Sequence, residues 1–242
     1  MVITGAAILL GTAYTSPGVS AALRRIPMIE LLYQKAGENS LLLSHGLDRI
    51  WEQELSTAVN LSVTDQDIRF TVTDVFYDGV QIVVSYEVEY LKMERKMTEQ
   101  EVGVYYDYSI VGAHPTLSGT HEYTITGDHT FVCTTIIESD PLPDHPLLHV
   151  EVPRIGDTYG QWNVTVPLSL AKTAPGTHVI RPALVSSYRG MEFTVDEVKL
   201  TPVSTQLVIK TNYHQQLGFM LLDDLDTPWK WAAAWAAKGK SE

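Results

Sequence analysis

One short phrase occurs twice in this chain. "IRFTVTDVFYDG" begins at Ile68 and "MEFTVDEVKLTP" begins at Met191, 123 residues further on. In the first copy Ile68, Phe70 and Val72 alternate with polar residues, the phase slips by one, and Val75 and Tyr77 continue on the shifted register. In the second, Met191, Phe193 and Val195 alternate, the slip falls at the same place, and Val198 and Leu200 follow. Alternation with period two marks a strand with one buried face. A one-residue slip is what a β-bulge produces, because the extra residue turns every later side chain over. "YDGV" and "TPVS" supply turns. Ile82, Val84, Tyr86 and Val88 then line one return strand, and Leu207, Ile209, Thr211 and Tyr213 the other. The repeated order of strand, slip, turn and strand predicts two related β-hairpins in two related β-domains.

The residues between the two copies are strand-like as well. "VGVYYDYSIV" from Val102, "HEYTITGDHTFVCTTII" from His121, "PLLHVEVPRI" from Pro146 and "WNVTVPLSL" from Trp162 alternate and are separated by turn residues. Strands of this length at ~8–12-residue spacing form antiparallel sandwiches. The expected fold is therefore all-β: two immunoglobulin-like antiparallel β-sandwich domains, preceded by short N-terminal helices. "LAKTAPGTH" from Leu170 reads as the boundary, giving domains at 59–169 and 170–226, with a Trp/Ala-rich tail at 227–242.

Upstream of residue 59 the period is helical. Val19, Leu23, Ile26, Ile29, Leu32 and Tyr33 recur at spacings of three or four, interrupted at Pro27, and Leu47, Ile50, Trp51 and Leu55 share one face of a further short helix. Residues 19–58 read as a helical adaptor. Residues 1–14 carry no charge, a run too short on its own for the ~20 apolar residues of a membrane span. Three readings are open: the outer end of a transmembrane helix, the remnant of a signal sequence, or a buried segment. The first is preferred for residues 1–18.

Composition narrows the function. The 242 residues carry a formal charge of −12 and show no basic stripe interleaved with aromatics, so nucleic acid is not an expected partner. The one cysteine, Cys133, lies in an apolar strand with no basic neighbour, which reads as a buried inert thiol and excludes an internal disulfide. His145 and His149 are four apart but not on a helix, and His121 and His129 flank a turn with Glu122 and Asp128 nearby. Surface or structural histidines are the better reading, and no metal or other cofactor is expected. The carboxylates of "LLDDLD" and "TDQD" lack the glycine and terminal glutamate of a calcium loop. No nucleophile elbow, zinc-protease helix or phosphate loop appears, so the expectation is a binding protein rather than an enzyme. In "YYDY", Tyr106 and Tyr108 share a strand face and Tyr105 takes the other, a candidate contact for sugars or a protein partner. Trp231 and Trp235, four apart in the tail, would lie together on a short helix as a second candidate contact.

"SPGVSAALRRIPMIELLYQKAG" and "VNLSVTDQDIRFTVTDVFYDGVQIVVSYEVE" together resemble the extracytoplasmic region of membrane-anchored, anti-sigma-factor-like proteins of Gram-positive bacteria. Ser16 and Pro17 match the motif at the end of that family's transmembrane helix. Arg25, Ile26 and Pro27 match its "R/K-IP" segment, and Val75, Asp78 and Gly79 its strand-turn motif. "GQWNVTVPLS" through "GMEFTVDEVKLTPVSTQLVI" resembles the companion C-terminal domain, so the likeness runs from about residue 15 to 215. It implies a single-pass cell-membrane protein whose β-domains lie outside the cytoplasm and sense a protein or cell-envelope ligand. A sigma factor would be a partner only through a cytoplasmic segment, which this sequence does not include. A secreted or cell-surface adhesion or wall-binding module is the alternative expectation.

Overall fold

The computed structural model describes residues 46–143 and 145–212, together with the backbone of a strand at Trp235–Ala237. The apolar segment 1–18, most of the adaptor, Tyr213 and Trp231 lie outside the described residues, and of Trp235 only the backbone is described.

A short helix, α1 (Leu47–Glu52), leads into β1 (Thr57–Asp65), β2 (Ile68–Tyr77), β3 (Gln81–Tyr90), β4 (Val104–Ile110), β5 (Leu117–Ile125), β6 (Thr130–Ser139), β7 (Leu147–Ile155), β8 (Thr158–Tyr159) and β9 (Val164–Pro167). Strands β1-β2-β3-β6-β5 form one antiparallel sheet in that order. In the second sheet β4 pairs with one edge of β7, while β8 and β9 share the other. The inner faces of the two sheets meet in one apolar core holding Phe70, Val84, Tyr86, Phe131, Val150 and Trp162, each fully buried. Trp162 also ties the layers together, its indole Nε1–H donating to the Ile68 carbonyl at 2.9 Å.

The outer face of the first sheet is capped at one end. Leu47, Ile50 and Leu55, which the helical spacing put on one face, are buried against Phe76, Val83, Val132 and Ile136. The phase slip in β2 explains why Phe76 points here while Phe70, Val72, Val75 and Tyr77 point inward. Val72 pairs with Tyr86 and Asp74 with Ser85, which leaves Thr73 as the extra residue of a bulge.

The third sheet contains β10 (His178–Ile180), β11 (Leu184–Tyr188), β12 (Met191–Leu200), β13 (Thr205–Thr211) and β14 (Trp235–Ala237). Strands β10 and β11 pair with successive stretches of one edge of β12, β13 pairs with its other edge, and β14 runs parallel to β13. The β2–β3 hairpin recurs here residue for residue, 123 positions on. Val195 pairs with Ile209 and Glu197 with Val208, leaving Asp196 in the bulge where β2 has Thr73. Tyr77 pairs with Ile82 before one turn, and Leu200 with Thr205 before the other.

The chain is thus all-β, as the alternation predicts. Its first unit is a two-layer structure. Its second is, among the described residues, a single sheet.

Candidate functional site

Two places in the molecule bring chemically distinctive groups together: the joint between the β units and the two faces of β4.

The joint is made by the turns of the repeated hairpins. In the first turn the Asp78 carboxylate, fully buried, accepts through Oδ1 from the backbone N–H groups of Val80 and Gln81 at 2.8 and 2.9 Å. In the second, Thr201 Oγ1 does the matching job, accepting from the N–H groups of Val203 and Ser204 at 3.2 and 2.7 Å. Asp and Thr are suited to this because a short side-chain oxygen reaches the amides two and three residues on. The two capping groups then meet: the Thr201 hydroxyl donates to Asp78 Oδ2 at 2.6 Å. Thr201 stands in the second phrase where Asp78 stands in the first, so equivalent residues of a repeat touch each other.

Further polar contacts surround that one. Lys199 Nζ donates to the Gly79 carbonyl at 2.8 Å, and Gly79 has the left-handed φ of +82° that favours glycine. From the segment linking the two units, buried Thr173 donates to the Tyr77 carbonyl at 3.1 Å, and Lys172 reaches the carbonyls of Glu54 and Ser56. Val203 packs against the α1 cluster and closes on Gly46. The seam is mainly hydrogen-bonded.

On β4 the three tyrosines divide as alternation predicts. Tyr106 and Tyr108 face inward, and Tyr105 faces out and is half exposed. Tyr106 joins a chain of hydrogen bonds in which Thr135 Oγ1 donates to its hydroxyl at 3.2 Å. That hydroxyl bonds His121 Nδ1, and Tyr123 bonds His121 Nε2 at 2.6 Å. Burial holds the His121 imidazole below its usual pKa. Deeper in, the Tyr86 and Tyr108 hydroxyls are buried without a hydrogen-bond partner among the described residues, and burial pushes both phenols well above their ordinary range. Beside them burial pushes the Cys133 thiol up to about 12, so at neutral pH it is not a nucleophile.

The outer face is different. Tyr105 on β4 pairs with Arg154 on β7, and Arg154 with Tyr159 on β8, so the three side chains share one rung across three strands. The guanidinium carbon lies 3.5 Å from the centre of the Tyr105 ring and 5.6 Å from that of Tyr159. Arg154 and Tyr159 escaped the sequence reading. A signal existed: Val150 and Val152 face inward, and the next inward residue is Ile155 rather than residue 154. That odd spacing, with Pro153 inside it, is a further bulge, since Tyr105 pairs with Arg154 and Asp107 already pairs with Glu151.

At the same end of the sandwich an open cleft of roughly 400 Å³ is lined by Ile68, Tyr90, Lys92, Arg95, Glu101 and Asp157, among others. Four of its charges are paired: Lys92 to Asp67 at 2.9 Å, and Arg95 to Glu101. The Arg95 hydrogen bond, followed by those from Thr98, holds the Glu101 carboxyl down to about 2. Among the described residues no three His, Cys, Asp or Glu side chains are grouped to hold a metal ion.

Residues 1–90 match the model of a family described as a domain of unknown function, DUF4179. No curated protein matches the chain. Among solved structures, the conserved domain protein from Bacillus anthracis is similar with a TM-score of 0.49 at 20% identity, covering 72% of this chain and 59% of that one. The chain thus spans less than two thirds of that protein's length.

Proposed function

We propose that this chain is the extracytoplasmic part of a membrane-tethered sensor or regulatory binding protein, resembling the outer region of an anti-sigma factor. Its first unit is read as an immunoglobulin-like sandwich. The observation that carries the proposal is the joint at Asp78 and Thr201. A seam made of hydrogen bonds between two turns exchanges partners more readily than a large apolar interface. A ligand with different affinities for two arrangements of the β units would shift the balance between them. The shift would pass back through α1, which packs beside the seam, to the N-terminal segment. The family match supports the reading in one respect, because it takes in the apolar N-terminal run and the first hairpin together. The partner on the outside would be a protein or a cell-envelope ligand. A sigma factor would be engaged only by a segment preceding this one.

Among the described residues no helix is long and apolar enough to cross a membrane. The test is therefore direct. The natural reading frame is expressed, cells are fractionated, and intact cells are treated with protease. Membrane-bound chain whose β units are cut from outside is the expected result. Chain released freely into the medium would sink the tether and leave the second reading, a cell-surface adhesion or wall-binding module. The exposed Tyr105–Arg154–Tyr159 row favours that alternative.

A further inference from the structure

The Tyr105–Arg154–Tyr159 row is built by the bulge around Pro153. Pro153 lies in the central strand of its sheet, where a residue without an N–H is normally excluded. It is accommodated because β8 and β9 leave a gap opposite it and because the bulge makes two residues of β7 oppose Tyr106 alone. The consequence is that Ile155 reaches the core and Arg154 is turned outward onto the rung between the tyrosines. Bulges commonly re-aim a side chain in this way beside binding sites.

The charges around this arginine are unusual. The chain carries 29 acidic and 17 basic residues, yet Arg154 makes no ion pair among the described residues. Its guanidinium carbon lies 3.5 Å over the Tyr105 ring, and an arginine stacked on an aromatic face keeps N–H donors for a planar, bidentate acceptor. One step along the same face Asp107 and Glu151 stand directly opposite each other, both exposed. Like charges in that position destabilise a sheet. Tyr159 completes the surface with 72% of its area exposed, the largest value among the exposed large hydrophobics.

We propose that this face binds a carboxylated pyranose, a sugar of the uronic-acid type within an envelope polysaccharide. The sugar carboxylate takes the N–H edge of Arg154, the apolar face of the ring lies on Tyr159, and Asp107 and Glu151 accept hydrogen bonds from ring hydroxyls. Both carboxylates then gain donors, which offsets their mutual repulsion. A polyanion without hydroxyls fits poorly, because the same two carboxylates repel it. The proposal deepens the binding reading above and rests on it for exposure of this face to the cell envelope.

The test titrates the whole chain by calorimetry with tri-galacturonic acid and with galactotriose of the same linkage. The acidic sugar is expected to bind at least about tenfold more tightly than the neutral one. Arg154→Gln should abolish that difference, while Tyr159→Ala should weaken both sugars alike. Equal binding of the two sugars, unchanged preference in Arg154→Gln, or no heat from either sugar at millimolar concentration would each overturn the proposal. All three side chains are at the surface, so thermal unfolding of the variants should match the parent. The outcome is independent of the fractionation: a released chain that still prefers the acidic sugar keeps the site and loses the tether.

Discussion

The same hairpin is folded twice in this molecule, and only one copy is deeply buried. In the first, Phe70 and Val72 are fully buried and Val75 nearly so; their counterparts Phe193, Val195 and Val198 are only half-buried. The strands that pair beside β12 are more exposed still, with Leu184 and Val185 at 65% and 63%. Register, bulge and turn length are identical, so local sequence does not cause the difference. It comes from what lies opposite. The first hairpin faces β4, β7 and β9, delivered by long-range connections; among the described residues no second sheet faces the other copy. A strand's alternation says which face seeks burial, and the rest of the chain decides whether it finds it.

The largest expected effect tests that contrast. Trp162→Ala removes a fully buried indole and its bond to the Ile68 carbonyl, and should cost ~3–5 kcal/mol of stability in urea unfolding. Leu184→Ala or Val185→Ala in β11 should cost under about 0.5 kcal/mol, as for surface positions generally. A cost above ~2 kcal/mol in β11 would mean that this strand is covered in solution, and the comparison would fail.

The joint comes next. Asp78→Ala strips the acceptor from two backbone N–H groups and the Thr201 hydroxyl in a buried turn, for an expected loss of about 2–3 kcal/mol. Thr201→Val should lose about 1 kcal/mol, and Thr201→Ser almost nothing, since the hydroxyl stays. In a double-mutant cycle the Asp78–Thr201 pair should show coupling on the order of 1 kcal/mol. Strictly additive losses would mean that the turns fold side by side without holding each other.

A third change should go the other way. Among the described residues the Tyr108 hydroxyl is buried without a hydrogen-bond partner, so Tyr108→Phe removes a desolvated group. A gain of about 1 kcal/mol in urea unfolding is expected, and a loss would show that the hydroxyl has a partner in solution.

How much of this could be read in advance follows from the same physics. The hairpins were legible down to the bulge, because alternation and its slip are local and each side chain reports its own face. The inward placing of Ile82, Val84, Tyr86 and Val88 and the outward turn of Tyr105 came from the same rule. The contact of Asp78 with Thr201 was half legible: both stand at the same place in a repeat and both are turn-capping types, but nothing local says that two turns meet. The row at Arg154 is not legible locally, because "PLLHVEVPRI" reads as one unbroken alternation and β8 is only two residues long. The tail reading placed Trp235 on a helix; its backbone is in a short strand beside β13, a pairing made across more than twenty residues that helical spacing cannot foresee.

The smallest effect is a pH dependence of the first unit. His121, partly exposed on β5, lies between Tyr106 and Tyr123, and partial burial depresses its pKa in the folded state below the unfolded value of ~6.5. The unfolded chain therefore takes up a proton that the folded chain resists. Stability contributed by neutral His121 is complete above about pH 6.5 and is lost as pH falls from there toward the depressed folded value. Urea unfolding of the parent should weaken across that interval more steeply than that of His121→Gln, which has no proton to take up. The other seven histidines are common to both proteins and cancel in the difference. If His121→Gln tracks the parent, the imidazole is as free to protonate in the folded chain as in the unfolded one. Burial would then not hold it neutral, and the rim of the sandwich at β5 would be as open as the exposed sheet.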